Sequence, residues 1–235
     1  MARPAPHRAR SGRRVLSVRG RGFTLIEVLV ALSVMALLAI LSWRGIDGMA
    51  RTQELTRARS DDLLALQAGL SQWKVDLERL APQGPDTPAI DWDGRAIRMT
   101  RIAGSGPEAS LRVVAWTRRA DDGGRWLRWQ SPPLRTRGQW QEAWQRAALW
   151  AQQGGAEERK SEVAVVPLEA WQVFYFRGDA WTNPLSSEGT PTGRAAERNA
   201  TPDGVRVVLT LPPGAALSGR VTIDWVRPEQ GGGRS

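Results

Sequence analysis

Residues 23–43, FTLIEVLVALSVMALLAILSW, form an apolar run of 21 residues whose only charge is Glu27. At about 1.5 Å of rise per residue, a helix of that length reaches roughly 30 Å, the hydrocarbon thickness of a bilayer. The run therefore reads as a membrane-spanning helix, and any globular part has to follow it. One carboxylate five residues into such a segment needs an account. A charge at the centre of a membrane helix costs on the order of 3 kcal/mol, so it normally has a partner or a task.

The flanks set an orientation. Residues 1–22 hold seven arginines (Arg3, Arg8, Arg10, Arg13, Arg14, Arg19 and Arg21) and no acid, whereas Arg44, Asp47, Arg51 and Glu54 follow with mixed sign. The positive-inside rule places the N-terminus in the cytoplasm and the remainder across the membrane. The formal net charge of +9 belongs largely to that tail, since without its seven arginines the chain carries +2. A nucleic-acid reader keeps its basic patch on the folded domain, so nucleic acid is not an expected partner.

Composition narrows the chemistry. There is no Cys, which excludes disulfides, thiolate catalysis and Cys-based zinc sites. The single His is His7, inside the tail, so the rest of the chain has no Ser-His or Cys-His pair and no imidazole metal ligand. Carboxylate, Lys and Tyr chemistry stay open, but no polar constellation suggests an active site, a cofactor or a resident metal. The pairs Asp91/Asp93 and Asp121/Asp122 could bind calcium, yet neither has an EF-hand frame, and turn chemistry is the better explanation. The twelve Trp, spread without a period, read mostly as core residues.

Three readings of the apolar run compete. A cleaved secretory signal has a shorter apolar core and a small-x-small site after it. This run is longer, and no such site precedes SWRGIDG. A plain anchor fits the hydropathy but leaves Glu27 without a purpose beyond snorkelling to the interface. The third reading rests on a resemblance. Gly22-Phe23-Thr24-Leu25-Ile26-Glu27, behind a short basic leader and continuing into VLVAL, resembles the processing site of type IV pilin-like proteins. The resemblance implies that a prepilin peptidase/methyltransferase cuts between Gly22 and Phe23 and methylates the amine of Phe23. It also implies that Glu27, about 6 Å of rise along the helix, pairs with such an amine, its own or that of the next subunit in a filament. A close pair is what offsets desolvation of two charges in a low dielectric.

Beyond the membrane run, Leu63, Leu66, Leu70, Trp73, Leu77 and Leu80 recur at three- and four-residue steps, one apolar stripe of an amphipathic helix. Asp47, Arg51, Glu54, Arg57, Asp62, Lys74, Asp76 and Glu78 are assigned to its polar faces. Gly45, Gly48 and Gly69 are points of looseness, and Pro82 and Pro85 end the helix. The stripe lasts under three heptads, so it reads as packing on the chain's own sheet rather than as a coiled coil.

The period then changes to two. Strands are expected at 95–102, 111–119 and 125–130, with residues 121–124 turning between the last two. A short helix over 138–155 carries Trp140, Trp144 and Ala147 or Ala148 on one face. Strand character resumes in EVAVVP and EAWQVFYFRG. Two further strands, 205–211 with Val205, Val207, Leu209 and Leu211 on one face and 219–227 with Val221, Ile223 and Trp225, are expected to pair antiparallel. The stretch between Pro184 and Gly204 reads as a long surface loop, and the sequon at Asn199 as chance. The fold class is α+β, a long N-terminal helix packed on a mostly antiparallel sheet of six to eight strands. The expected organisation is a leader at 1–22, a transmembrane segment at 23–43, an amphipathic helix at 44–81 and a β-rich domain at 82–235.

WRGIDGM after the membrane run, ALQAGLSQWKVDLERL, and EAWQVFYFRGDAW with PDGVRVVLTL and VTIDWV near the end resemble the J-type minor pseudopilins of type II secretion systems. That family implies a non-catalytic subunit in the bacterial inner membrane with a periplasmic domain. Its implied partners are I- and K-type minor pseudopilins, the major pseudopilin and an inner-membrane assembly platform, at the tip of a pseudopilus that exports folded proteins. The alternatives are a minor pilin of a type IV pilus or DNA-uptake system and, more distantly, a membrane-anchored periplasmic enzyme or binding protein.

Overall fold

The structure is a computed structural model and describes residues 22–84, 87–152, 154–185, 201–214 and 217–228. The basic leader, most of the 184–204 loop, Pro85 and Asn199 lie outside the described residues, as does the side chain of Asp122. The chain divides into two compact units, residues up to Gln53 and residues from Glu54 onward. Helix α1, Leu25–Glu78, contributes to both.

In the first unit every described side chain is exposed, from Gly22 through Gln53. That is the expected state of an apolar helix whose natural solvent is lipid: a window of 18 residues has a mean hydropathy of 2.6 and none of it is buried. By length and composition the helix can cross a membrane. Trp43, at the far end of the run, is 74% exposed.

In the second unit the last part of α1 and two antiparallel sheets share one core. The first sheet has the order β1-β2-β3-β4-β5, with β1 Ile90–Trp92, β2 Ala96–Ala103, β3 Ser110–Arg119, β4 Arg125–Gln130 and β5 Glu162–Pro167. The second has the order β7-β6-β8-β9, with β6 Ala170–Arg177, β7 Ala180–Thr182, β8 Gly204–Leu211 and β9 Gly219–Val226. Nine strands among the described residues exceed the expected six to eight. The additions, β1 and β7, are three residues each, too short to show a period of two.

The single expected sheet is in fact two, and the division occurs at one dipeptide. The Leu168 amide donates to the Gly124 carbonyl, in the β3–β4 turn, at 3.0 Å, whereas the Glu169 amide donates to Thr210 in β8 at 2.9 Å. Gly124 is fixed by this crossing. Its φ is +86°, and a Cβ there would stand 2.5 Å from the Leu168 carbonyl oxygen.

β3 is buried without interruption from Val113 to Thr117, because both faces of the first sheet are covered. Val114 and Trp116 pack in the core that holds Leu66, Trp73 and Leu77 of α1. Val113 and Ala115 pack in a second cluster with Trp140, Ala143, Ala147 and Trp150 of α2, Arg137–Gln152. The expected helix and its Trp140–Ala147 face are thus present, while Trp144 is only partly buried. A short helix α3, Ala156–Arg159, follows. The second sheet keeps a clean alternation: Val205, Val207, Leu209 and Leu211 point into the first core, and the β8–β9 pairing is antiparallel as expected.

Trp73, Trp116, Trp126, Trp129, Trp140, Trp150 and Trp225 are buried, which bears out the core reading of most tryptophans. Trp73, Trp116 and Trp126 meet at ring-centroid separations of 4.3–5.9 Å and join helix to sheet.

Three readings of α1 need correction. Leu63 is 43% exposed, so the buried stripe begins at Leu66. Gly69 is not a point of looseness. It is buried, and a Cβ on it would lie 2.2 Å from Cγ1 of Val165. Val165 is the residue that the β4–β5 register shift leaves without a partner, between Trp126↔Val166 and Leu127↔Ala164. The bulge turns its methyl onto the helix, and only glycine admits it. Third, Asp76 is not on a polar face but 0% exposed.

Candidate processing segment and a buried carboxylate

The helix starts where its sequence says it should. Gly22, Phe23 and Thr24 precede the first helical residue, Leu25. Thr24 stands at the N-cap. Its carbonyl accepts from the amides of Glu27 at 3.1 Å and Val28 at 3.3 Å, and its hydroxyl oxygen accepts from the Glu27 amide at 3.4 Å. Thr24-x-x-Glu27 is the Ser/Thr-x-x-Glu pattern of a capping box. Sequence reasoning passed over it although the signal was present. An acid at the third helical position also faces the positive end of the macrodipole, which gives Glu27 a local reason to stand there besides any pairing.

Phe23 is 81% exposed, and Gly22 has nothing within 4 Å of where a Cβ would lie. Neither a close approach nor a left-handed φ obliges residue 22 to be glycine. The bond between Gly22 and Phe23 is open, and the Glu27 carboxylate is exposed with no ion-pair partner among the described residues. The three expected site residues thus fall within six consecutive residues, at the entrance of the apolar helix.

A family model described as the prokaryotic N-terminal methylation motif matches residues 19–43. The start of the apolar helix thus carries a methylation motif of the prepilin type. It is also 33% identical over 78 residues to the type II secretion system protein J of Klebsiella pneumoniae. That stretch is 33% of this chain, which spans 39% of the length of this curated relative. One N-terminal apolar helix together with this similarity fits a single-pass inner-membrane protein.

The second unit contains the feature that sequence reasoning missed. Asp76 lies in the last turn of α1, where the helix dipole disfavours an acid and no basic residue of that turn compensates. The sheet supplies the compensation instead. Asp76 Oδ2 accepts from Nε of Arg128 at 2.8 Å and from the indole Nε1 of Trp116 at 2.9 Å. Oδ1 accepts from Nη1 of Arg101 at 2.8 Å, Nη2 of Arg128 at 3.0 Å and Nε2 of Gln72 at 2.9 Å. The carboxylate thus binds β2, β3 and β4 at once. Gln130 Oε1 completes the array by accepting from Nη2 of Arg128 and of Arg101. The Arg101 pKa is lowered, first by desolvation and then by its arginine neighbours, against the raising effect of Asp76. In the sequence the signal was the position of Asp76, three residues after Trp73 and beside Leu77 in the buried stripe.

The other acidic pairs serve turns and sheet. Asp93 Oδ1 accepts from the amides of Arg95 at 2.9 Å and Ala96 at 2.7 Å, closing the β1–β2 connection, and Asp91 pairs with Arg98. Asp121 opens the one-turn 3-10 helix Asp121–Gly123 between β3 and β4.

Proposed function

We propose that this chain is a minor pseudopilin of a type II secretion system, matured by cleavage between Gly22 and Phe23 and N-methylation of Phe23. The observation that carries the reading is the methylation-motif match on residues 19–43, superposed on an open Gly22-Phe23 bond and an unpaired Glu27 carboxylate. Among the described residues nothing obliges position 22 to be glycine, which supports recognition by another molecule, a prepilin peptidase/methyltransferase. Cutting there leaves a cationic amine one residue before the N-cap, where the helix dipole disfavours it. The capping-box position of Glu27 directs its carboxylate back toward that end of the helix. In lipid the pair forms with the chain's own amine or with that of the neighbouring subunit, and so sets the axial register of a filament.

Charge asymmetry about the apolar run and the similarity to protein J support the remaining parts of the reading. The N-terminus faces the cytoplasm, the domain stands in the periplasm, and the chain joins I- and K-type minor pseudopilins, the major pseudopilin and an inner-membrane assembly platform at the pseudopilus tip. The methylation motif alone fits a minor pilin of a type IV pilus or DNA-uptake system equally well; the 78-residue similarity favours secretion. The test is Glu27→Gln in cells, following leader removal and sedimentation with the filament. Cleavage is expected to be unaffected while incorporation falls by an order of magnitude or more, on the scale of an intramembrane charge left unpaired. Wild-type incorporation of the cleaved variant would refute the assignment.

A further inference from the structure

β5 is an edge strand. It pairs with β4 on one side, and no described strand lies on the other. It is short but apolar and outward-facing: Val163 is 57% exposed and Ala164 is exposed. Two clefts flank it. One, of about 340 Å³, is mostly apolar and lies between β5 and α1, lined by Ala65, Ala68, Gly69 and Val165 together with Trp116 and Arg128. The other, of about 380 Å³, lies at the start of the strand and is lined by Arg112, Arg128, Gln130, Ser131, Lys160 and Ser161. Both clefts reach Arg128 and Val163, so they form one continuous surface around the strand edge.

The charge of this surface is unbalanced. Arg112, Arg128 and Lys160 line the basic cleft, with Glu162 as the carboxylate among its lining residues. Arg128 keeps only 11% of its side chain exposed, so water screens its charge poorly. Glu162, in the basic cleft, is already held by Arg119 and by the Trp150 indole at 2.7 Å. Lys160 pairs with the exposed Glu157 at 2.7 Å, a contact that water and salt weaken. Arg128 commits Nε and Nη2 to Asp76 and Gln130.

We propose that the free edge of β5 and its two clefts form a docking surface for an extended acidic segment of a partner protein. The backbone of that segment adds a strand to β5, as in β-strand addition generally. Alternate residues of a strand share a face at about 6.6 Å spacing. An apolar side chain therefore enters the groove beside Gly69, and a carboxylate two residues away enters the basic cleft. A peptide fits where other anions do not, because only a polypeptide offers the amide and carbonyl row that an open strand edge lacks. Guanidinium and carboxylate then meet in the geometry that arginine favours. The surface lies within residues 65–167 and uses neither the leader nor the membrane segment, so it goes beyond the function proposed above and stands or falls separately.

The experiment places a photo-crosslinking benzoylphenylalanine at position 163 of the full-length chain in its native membrane. Adducts are mapped by mass spectrometry, alone and combined with Lys160→Glu and Arg112→Glu. The expected adduct is a protein segment carrying Asp or Glu two residues from an apolar residue. Its yield falls about tenfold with the two charge reversals and is kept with Lys160→Arg, while tryptophan fluorescence shows the domain still folded. Adducts on lipid, adducts on a segment without carboxylates, absence of any adduct, or a yield indifferent to charge reversal would each overturn the proposal.

Discussion

Replacing Asp76 with Asn is the sharpest test of how the second unit holds together. The substitution conserves shape and removes the charge from a site that is 0% exposed and receives five hydrogen bonds. An amide offers one acceptor oxygen where the carboxylate offers two, and its NH2 group faces guanidinium donors that have nowhere else to turn. Breaking a buried ion pair by removing one partner costs about 3–5 kcal/mol, against a total of about 5–15 kcal/mol for a typical domain. With a urea slope of roughly 2 kcal/mol per M, the unfolding midpoint should fall by roughly 2 M. Trp73, Trp116 and Trp126 report the transition directly, since they surround the site. The full chain in detergent micelles is unfolded in urea and its tryptophan emission followed. Replacing Arg101 and Arg128 with Met in the Asp76→Asn background should recover part of the loss, because the stranded cations are then gone. A midpoint shift under about 0.5 M for Asp76→Asn, at an unchanged slope, would refute the reasoning.

Gly69→Ala should destabilise by about 1 kcal/mol, the difference between about 1–3 kcal/mol of overpacking against Val165 and the roughly 1 kcal/mol that alanine gains in a helix. The penalty should shrink in a Val165→Ala background, and additive effects in that double-mutant cycle would contradict the contact. On the exposed face of the second sheet, Arg206 donates to Asp224 across the β8–β9 register at 2.6–2.7 Å, and this bond holds the Asp224 carboxyl below the usual range. A depressed folded-state pKa stabilises above the unfolded value of about 3.9, and that contribution disappears as pH falls through the lower folded value. Asp224→Asn should therefore flatten the acid side of the urea-midpoint profile below about pH 4. A wild-type and variant profile of the same shape would rule this out.

How much of this could be read beforehand depended on whether the residues involved had a period. β4 occupies residues 125–130, the bounds its alternation gave, and Val205, Val207, Leu209 and Leu211 face the core as expected. β3 lacks alternation in burial because α2 covers its second face. β1 and β7 were too short to register. Asp76 was misplaced because a charge was taken as a mark of solvent, although it lies in the helix stripe with Trp73 and Leu77. Burial of that acid depends on Arg101 and Arg128, 25 and 52 residues further along, and no local pattern announces such partners. The same holds for Gly69, whose role is set by a bulge in β5. The methylation motif was legible because its signal is local: a glycine, an apolar residue, a cap and an acid within six consecutive residues.

The central claim is that Glu27 answers an amine created by cutting between Gly22 and Phe23. Intact-mass and N-terminal analysis of the membrane-extracted protein tests it most directly. The account predicts a mature chain that begins with N-methylated Phe23 and has lost all seven leader arginines. A chain that keeps Arg19, Arg21 and Gly22 ahead of Phe23 would contradict it.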